Sequence, residues 1–322
     1  MRIAIPDFVS STHIALIAAQ ELGFFRDEGQ EVDIVHIPLK QALESLRDKA
    51  VDFCSGAAHA PLMVFPDWRG VKLVAAVTQG THWILVMRSG LAKRGEIDVV
   101  KGRRIAADRG PDLILKYLLR QSGVDIQRDR VEIGPLPADD PNMSFVVGAA
   151  RALADGKVDG LWANALGCEL AIQLGVGSVV IDPRRGEGPI GAGNYSFAAL
   201  ATTESKIERH PDRIEAMIRA ITRAQSIIRG EPRRAAQVMR KLFPSTEAEL
   251  MNQILERDKE FYRPAISVDS IAEMNRLATG SGLLSHPVPY EQVVATISKL
   301  LVRVKPAKGF TRQKKPELIS ME

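Results

Sequence analysis

The sequence predicts an α/β protein of two lobes on mainly parallel sheets, with a ligand cleft between the lobes. Three observations carry that expectation. First, short apolar strands alternate with amphipathic helices from Arg2 to about residue 200, and a helical run closes the chain. That order builds parallel sheets covered by helices. Second, one helix–strand unit occurs twice. LRDKAVDFCSGAAHAP, Leu46 to Pro61, returns in outline as LADGKVDGLWANALG, Leu153 to Gly167. Leu46, Asp48, Val51 and Asp52 are matched by Leu153, Asp155, Val158 and Asp159. Third, two stretches mark crossings between lobes: the polar, Gly-bearing RSGLAKRGEIDVVKG after Met87, and the return strand Ser196–Thr202. The first lobe then takes residues 1–87 and 195–304, the second takes 88–194, and 305–322 is a polar tail.

In chain order, Arg2–Pro6 is a strand and Asp7–Thr12 a Ser/Thr-rich loop that can cap the next helix. Ile14, Ile17, Ala18 and Leu22 form that helix's apolar stripe, and Gly23 ends it. Val32–Ile37 is the second strand, Pro38–Lys49 an amphipathic helix, and Val51–Cys54 a strand that opens into a Gly56–His59 loop. Val71–Thr78 and Trp83–Met87 are strongly apolar strands. A strand, turn and helix follow in KGRRIAADRGPDLILKYLLRQSGVD, then strand Val131–Leu136, helix Phe145–Ala154, and strands Val158–Trp162 and Ser178–Ile181. Beyond Glu204, Ile214, Met217, Ile218, Ile221, Ala224 and Ile228 recur at helical spacing, with Pro211 in the first turn. A last helix is expected over PYEQVVATISKLLVRV.

Composition narrows the class. The chain has 322 residues, enough for two core-bearing lobes, and its 45% apolar and 25% charged content is ordinary for a globular protein. A net charge of +4 without a basic cluster argues against nucleic acid. Cys54 and Cys168 have no metal-ligand spacing and are expected as small buried thiols, one per lobe and unpaired. MRIAIPDF has no signal-peptide h-region, and no apolar run reaches the roughly 20 residues of a membrane helix. The chain as written is expected to be cytoplasmic and not membrane-spanning. An export signal preceding Met1 would make it periplasmic.

Ligands sit at the carboxyl ends of strands in open α/β sheets. The helix starts at Thr12–His13 and Gly110–Asp112 offer free N–H groups there. Arg109 is suited to grip a carboxylate or sulfonate, or to pair with its neighbours Asp108 and Asp112. His13, His59 and His82 fall in strand-end loops and suit ligand contact better than metal. Asp52 and Asp159 open their strands, at the end away from the cleft, and read as turn residues. Trp83 and Trp162 read as core before they read as stacking platforms. The chain has no G-x-S-x-G, no H-E-x-x-H and no P-loop, so no catalytic set, metal or cofactor is expected.

The order of IALIAAQELGFFRDEGQEVDIV, ALESLRDKAVDF, KGRRIAADRGPDLILKYLLRQSGVD, ALADGKVDGLWAN and HPDRIEAMIRAITRAQSII resembles the type II periplasmic binding protein fold. It is similar in particular to the nitrate, sulfonate and taurine binding proteins and their relatives that bind or make the thiamine pyrimidine. The resemblance covers residues 1 to about 300. It implies a ligand between the lobes, touched by Ser10, Ser11, Thr12 and His13, by Gly56, Ala57 and His59, by Arg109, Gly110 and Asp112, and by Ala163 and Asn164. Gln79, His82, Asn194 and Tyr195 would lie near the hinge. The cysteine-rich run of the pyrimidine-making members is missing.

Two functions fit. One is a monomeric solute-binding protein that hands a small polar or anionic organic ligand (a sulfonate, carboxylate or pyrimidine-like molecule) to an ABC transporter permease. The other is a cytoplasmic enzyme on the same fold, of decarboxylase or pyrimidine- or menaquinone-precursor type, using the cleft histidines.

Overall fold

The computed structural model describes residues 1–91, 93–136, 144–240, 242 and 245–296. Two five-stranded sheets organise it. The first contains β1 (Arg2–Ile5), β2 (Asp33–His36), β3 (Phe53–Ala57), β4 (Val71–Thr78) and β10 (Ala198–Thr203), in the order β2-β1-β3-β10-β4. The second contains β5 (Trp83–Arg88), β6 (Arg104–Ala107), β7 (Glu132–Gly134), β8 (Gly160–Asn164) and β9 (Gly177–Ile181), in the order β7-β6-β8-β5-β9.

The two orders are the same pattern. In each sheet three strands pair in parallel, β2-β1-β3 and β7-β6-β8. The crossing strand then inserts antiparallel between the third strand and the edge, β10 against β3 and β4, β5 against β8 and β9. The chain enters each lobe from the other, so its entry strand runs against the home strands.

Trp83–Arg88 therefore belongs to the second sheet, although the sequence places residues up to 87 in the first lobe. The chain crosses at Gln79–His82, before the apolar stretch. The reason is burial. Trp83, Ile84, Leu85, Val86 and Met87 are all buried, and an all-apolar strand needs a place with both faces covered. The position between β8 and β9 supplies it. At the crossing, Thr81 N–H donates to the Gly193 carbonyl at 2.7 Å, and Thr81 and Ser196 exchange hydroxyl–backbone bonds at 3.3 Å. The two connections thus form one hinge.

Strands β3 and β8 start two residues later than the Val-Asp pattern suggests and run on through small residues, Ser55-Gly56-Ala57 and Ala163-Asn164. Val51 and Val158 are buried in the turns that precede them. Helix Pro211–Gly230 lies across β4 and helix Ile14–Glu21, with Ile214, Met217, Ile221, Ala224 and Ile228 fully buried as their spacing predicts. The helix expected from Tyr290 ends at Val293, and Val294 then bridges Leu73. Its continuation and the 305–322 segment lie outside the described residues. Among the described residues no helix is long and apolar enough to cross a membrane.

Candidate functional site

A cleft of about 370 Å³ opens where the carboxyl ends of both sheets face each other. The first lobe contributes the loop after β1 (Asp7, Phe8, Ser10, Thr12, His13), His36 and Leu39 after β2, and Gly56 and Ala57 at the end of β3. The second contributes Asp108 and Pro111 after β6, Ser144 to Val146 at a helix start, and Trp162 to Asn164 at the end of β8. His82 and Trp83 come from the crossing. A Cβ on Gly56 would meet the end of the Leu39 side chain at 2.5 Å, so Leu39 would have to swing aside.

Two hydrogen bonds join the cleft walls. Asn164 Nδ2 donates to Ser10 Oγ at 2.9 Å, and Ser144 Oγ donates to Asp7 Oδ2 at 2.5 Å. Asn164 Oδ1 also accepts from the N–H groups of Leu166 and Gly167, so the same side chain caps helix Ala165–Gln173. Ser10 Oγ accepts from Thr12 N–H at 3.1 Å as well, which leaves its hydrogen to donate.

His13 precedes the helix Ile14–Glu21, with Nδ1 3.1 Å from Ser55 Oγ, and burial lowers its pKa to about 4. His82 stacks on Trp83 with ring centres 3.7 Å apart, and its Nδ1 is buried without a partner. Burial, then the nearby charges of Arg184 and His13, holds His82 well below the usual imidazole range. Both rings are neutral near pH 7. Asp7 accepts from Val9 N–H at 2.7 Å, and burial raises its carboxyl to about 6. Burial raises Asp108 too.

Of the residues expected around a ligand, Ser10, Thr12, His13, Gly56, Ala57, His82, Ala163 and Asn164 line the cleft. The others do not. Ser11 turns its carbonyl to the Tyr262 hydroxyl at 2.7 Å. His59 lies behind the cleft, fully buried. Its Nε2 donates to the Gly110 carbonyl at 3.2 Å, so its Nδ1 accepts from Ser196 Oγ at 3.0 Å. It ties the first lobe to the hinge and to the second lobe. Gly110, at φ +98°, turns that carbonyl toward His59, a backbone state few other residues adopt. Arg109 is exposed. Asp112 accepts from Gly110 N–H and pairs with Lys116 at 2.6 Å, so it is spent on its own helix. Gln79 donates to the Ala265 carbonyl at 2.7 Å, and Asn194 is exposed at the hinge.

Sequence reading missed Asp7, Phe8, Asp108, Ser144 and Phe145. Asp7 and Phe8 directly follow β1, and Ser144 opens the helix after β7. The strand-end rule, applied to every parallel strand, would have reached both. Among the described residues no group of three His, Cys, Asp or Glu is placed to hold a metal. Cys54 and Cys168 are free, buried and outside the lining.

The family model described as NMT1/THI5 like matches residues 10–235. The chain belongs to this family. No curated protein matches it by sequence. NMT1/THI5-like membership accords with its structural neighbours, which share the type II periplasmic binding protein fold. A protein of Bordetella bronchiseptica RB50 superposes with a TM-score of 0.70 at 19% identity, covering 90% of this chain and 89% of that one. The periplasmic aliphatic sulphonate binding protein SsuA of Escherichia coli gives 0.68 at 15%, covering 99% and 98%. A mutant of DSZB, crystallised with biphenyl-2-sulfinic acid, gives 0.61 at 17%, covering 91% and 96%. At these identities the likeness is one of fold.

Proposed function

We propose that this NMT1/THI5-like chain is a solute-binding protein of an ABC-type transport system, closing its lobes on a small polar organic molecule. The observation that carries the reading is the cleft, lined from both sheets at their strand ends and joined across by Asn164–Ser10 and Ser144–Asp7. A molecule held there touches both lobes, so it favours the closed arrangement by the contacts that opening would break. The polar side chains of the lining, Asp7, Ser10, His13, Asp108 and Asn164 among them, give orientation beside its apolar part. The partner on this reading is a transporter permease, which recognises the closed, loaded form of a monomer. The fold likeness to the E. coli sulphonate binding protein supports the reading.

A second reading, an enzyme on the same fold, has one specific support, the likeness to the desulfurization enzyme DSZB. Against it, neither cysteine lines the cleft, and Ser55, the hydroxyl beside His13, is fully buried. The test is a thermal-shift screen of small organic acids, sulfonates, amines and pyrimidines. Each hit is followed by calorimetry, small-angle scattering and mass analysis of the incubated compound. Saturable binding with compaction and an unchanged compound is expected. Steady conversion of a hit to product would replace transport by catalysis.

A further inference from the structure

The charge in the cleft favours one class of ligand. Two carboxylates line it, Asp7 from the first lobe and Asp108 from the second. Among the described residues neither is ion-paired with a Lys or Arg. Asp7 accepts, among the described residues, from the Ser144 hydroxyl and the Val9 N–H, and Asp108 from the Arg109 N–H at 2.7 Å, while the charges of His36 and Arg109 act on Asp7 and Asp108 in turn. No Lys or Arg lines the cleft among the described residues, and the sequence from Leu136 to Ser144 contains none. His36 sits exposed in the lining, its Nε2 donating to the Pro6 carbonyl. Arg184, whose charge reaches His82, lies outside the lining over the Phe261 ring, with Asp182 and Asp258 near it. An anion drawn into this cleft would face two carboxylates, with the exposed Arg109 guanidinium acting on Asp108 from outside the lining.

The aromatic part of the lining points the same way. Phe8, Trp83 and Phe145 present aromatic side chains, whose faces attract cations. The buried His82 Nδ1 has no partner in hydrogen-bond geometry among the described residues, so the neutral ring offers a ligand of either charge one polar contact.

We infer that the cleft selects a small flat organic cation, an ammonium or amidinium compound, with its charge between Asp7 and Asp108 and its ring against the aromatic side chains. This rests on the solute-binding reading and names the ligand class for the same site. It departs from the sulfonate or carboxylate ligand that the family resemblance suggests.

The experiment is calorimetry and thermal shift of the full chain at pH 7.5 with matched aryl probes. Benzylamine, benzamidine and phenyltrimethylammonium are the cations, benzenesulfonate and benzoate the anions, and benzamide the neutral control. Cations are expected to bind and to raise the melting temperature, with the anions silent. Asp7→Asn and Asp108→Asn should each weaken the best cation by about tenfold or more. Asn keeps an acceptor for the backbone N–H, and circular dichroism checks the fold of each variant. Tighter binding of a matched anion, or cation affinity unchanged in both variants, overturns the proposal while leaving solute binding in place. No saturable binding by any of the six probes would also overturn the proposal, while solute binding itself stands or falls on the wider screen.

Discussion

Asp52 and Asp159 hold the same place in the two lobes. A carboxylate oxygen of each accepts the N–H of the residue that opens the neighbouring strand, Arg2 at 2.7 Å and Arg104 at 3.0 Å. Each donates its own N–H back to that residue's carbonyl, at 2.9 Å and 2.8 Å. The repeated Val-Asp is thus a fastening at the amino end of each sheet, remote from the cleft. Lys206 pairs with Asp52. Burial opposes the Asp52 charge, but Lys206 and the Arg2 N–H prevail and hold that carboxyl below its usual range. Arg88 and Arg103 approach Asp159 at 3.8 and 3.9 Å.

Asp52→Ala and Asp159→Ala should each lower the unfolding free energy by about 1.5–3 kcal/mol, the scale of a hydrogen bond to a charged acceptor. Urea denaturation measures this. Affinity for any cleft ligand should stay within about twofold, because neither residue is near the lining. A large affinity loss at unchanged stability would contradict the fastening role.

His59 is expected to matter for stability and lobe closure more than for direct ligand contact. Truncation to Ala would leave the Ser196 hydroxyl and the Gly110 carbonyl without their partner and open a cavity. A loss of about 2–4 kcal/mol is expected. Small-angle scattering should show a larger radius for the ligand-free variant. A variant as stable and as compact as the parent would exclude the bridge.

Asn164 carries two separable duties. Asn164→Ala should cost about 1–2 kcal/mol, since it removes the helix cap and the bond to Ser10. Ser10→Ala leaves the Asn164 cap in place and removes the acceptor of its Nδ2. It should therefore keep most of the stability while lobe closure, read by scattering with ligand, is impaired. Closure as complete as in the parent would mean that the Ser10 bond contributes nothing.

Stability should fall on acidification. Burial lowers His13 and His59 to about 4 and holds His82 well below the ordinary 6.5. Between about pH 6.5 and 4 the unfolded chain binds protons that the folded chain excludes, so stability drops as pH falls through that window. Asp7 acts the other way. Its carboxyl is raised from 3.8 to about 6, the folded chain takes up its proton first, and its unfavourable contribution at neutral pH fades as pH falls from about 6 to 4. Burial raises Asp108 and Asp182 in the same direction as Asp7, while the lowered Asp52 adds to the loss on acidification, and the three histidines decide the sign. Urea midpoints should decrease from pH 7 to 4.5, less steeply in His13→Gln. In Asp7→Asn the decrease should be steeper, from a higher value at pH 7. A flat profile for the parent would refute this account.

Much of the fold was legible because it is written locally. Helical spacing marked the buried face of Pro211–Gly230 before any packing was known, and the repeated Leu-Asp-Val-Asp marked two equivalent helix–strand turns. The strand-end rule found Ser10, Thr12, His13 and Asn164 without knowledge of the sheets. The same rule failed at single residues. Arg109 and Asp108 are neighbours, yet only the aspartate lines the cleft. His59 and His82 read alike in sequence, yet one ties the lobes behind the cleft and the other lines it.

The sequence by itself determined the two lobes, the duplicated turn and the loops that meet, because periodicity and turn chemistry act within a few residues. Only the tertiary structure decided which lobe holds Trp83–Arg88, which loop side chains face inward, and that among the described residues Asp7 and Asp108 line the cleft with no Lys or Arg beside them in the lining. Those outcomes depend on contacts between segments 50 to 150 residues apart, such as His59 with Gly110 and Asn164 with Ser10. A one-residue change of direction in a strand-end loop turns a cleft-lining side chain into a solvent-exposed one, and local sequence does not encode that direction.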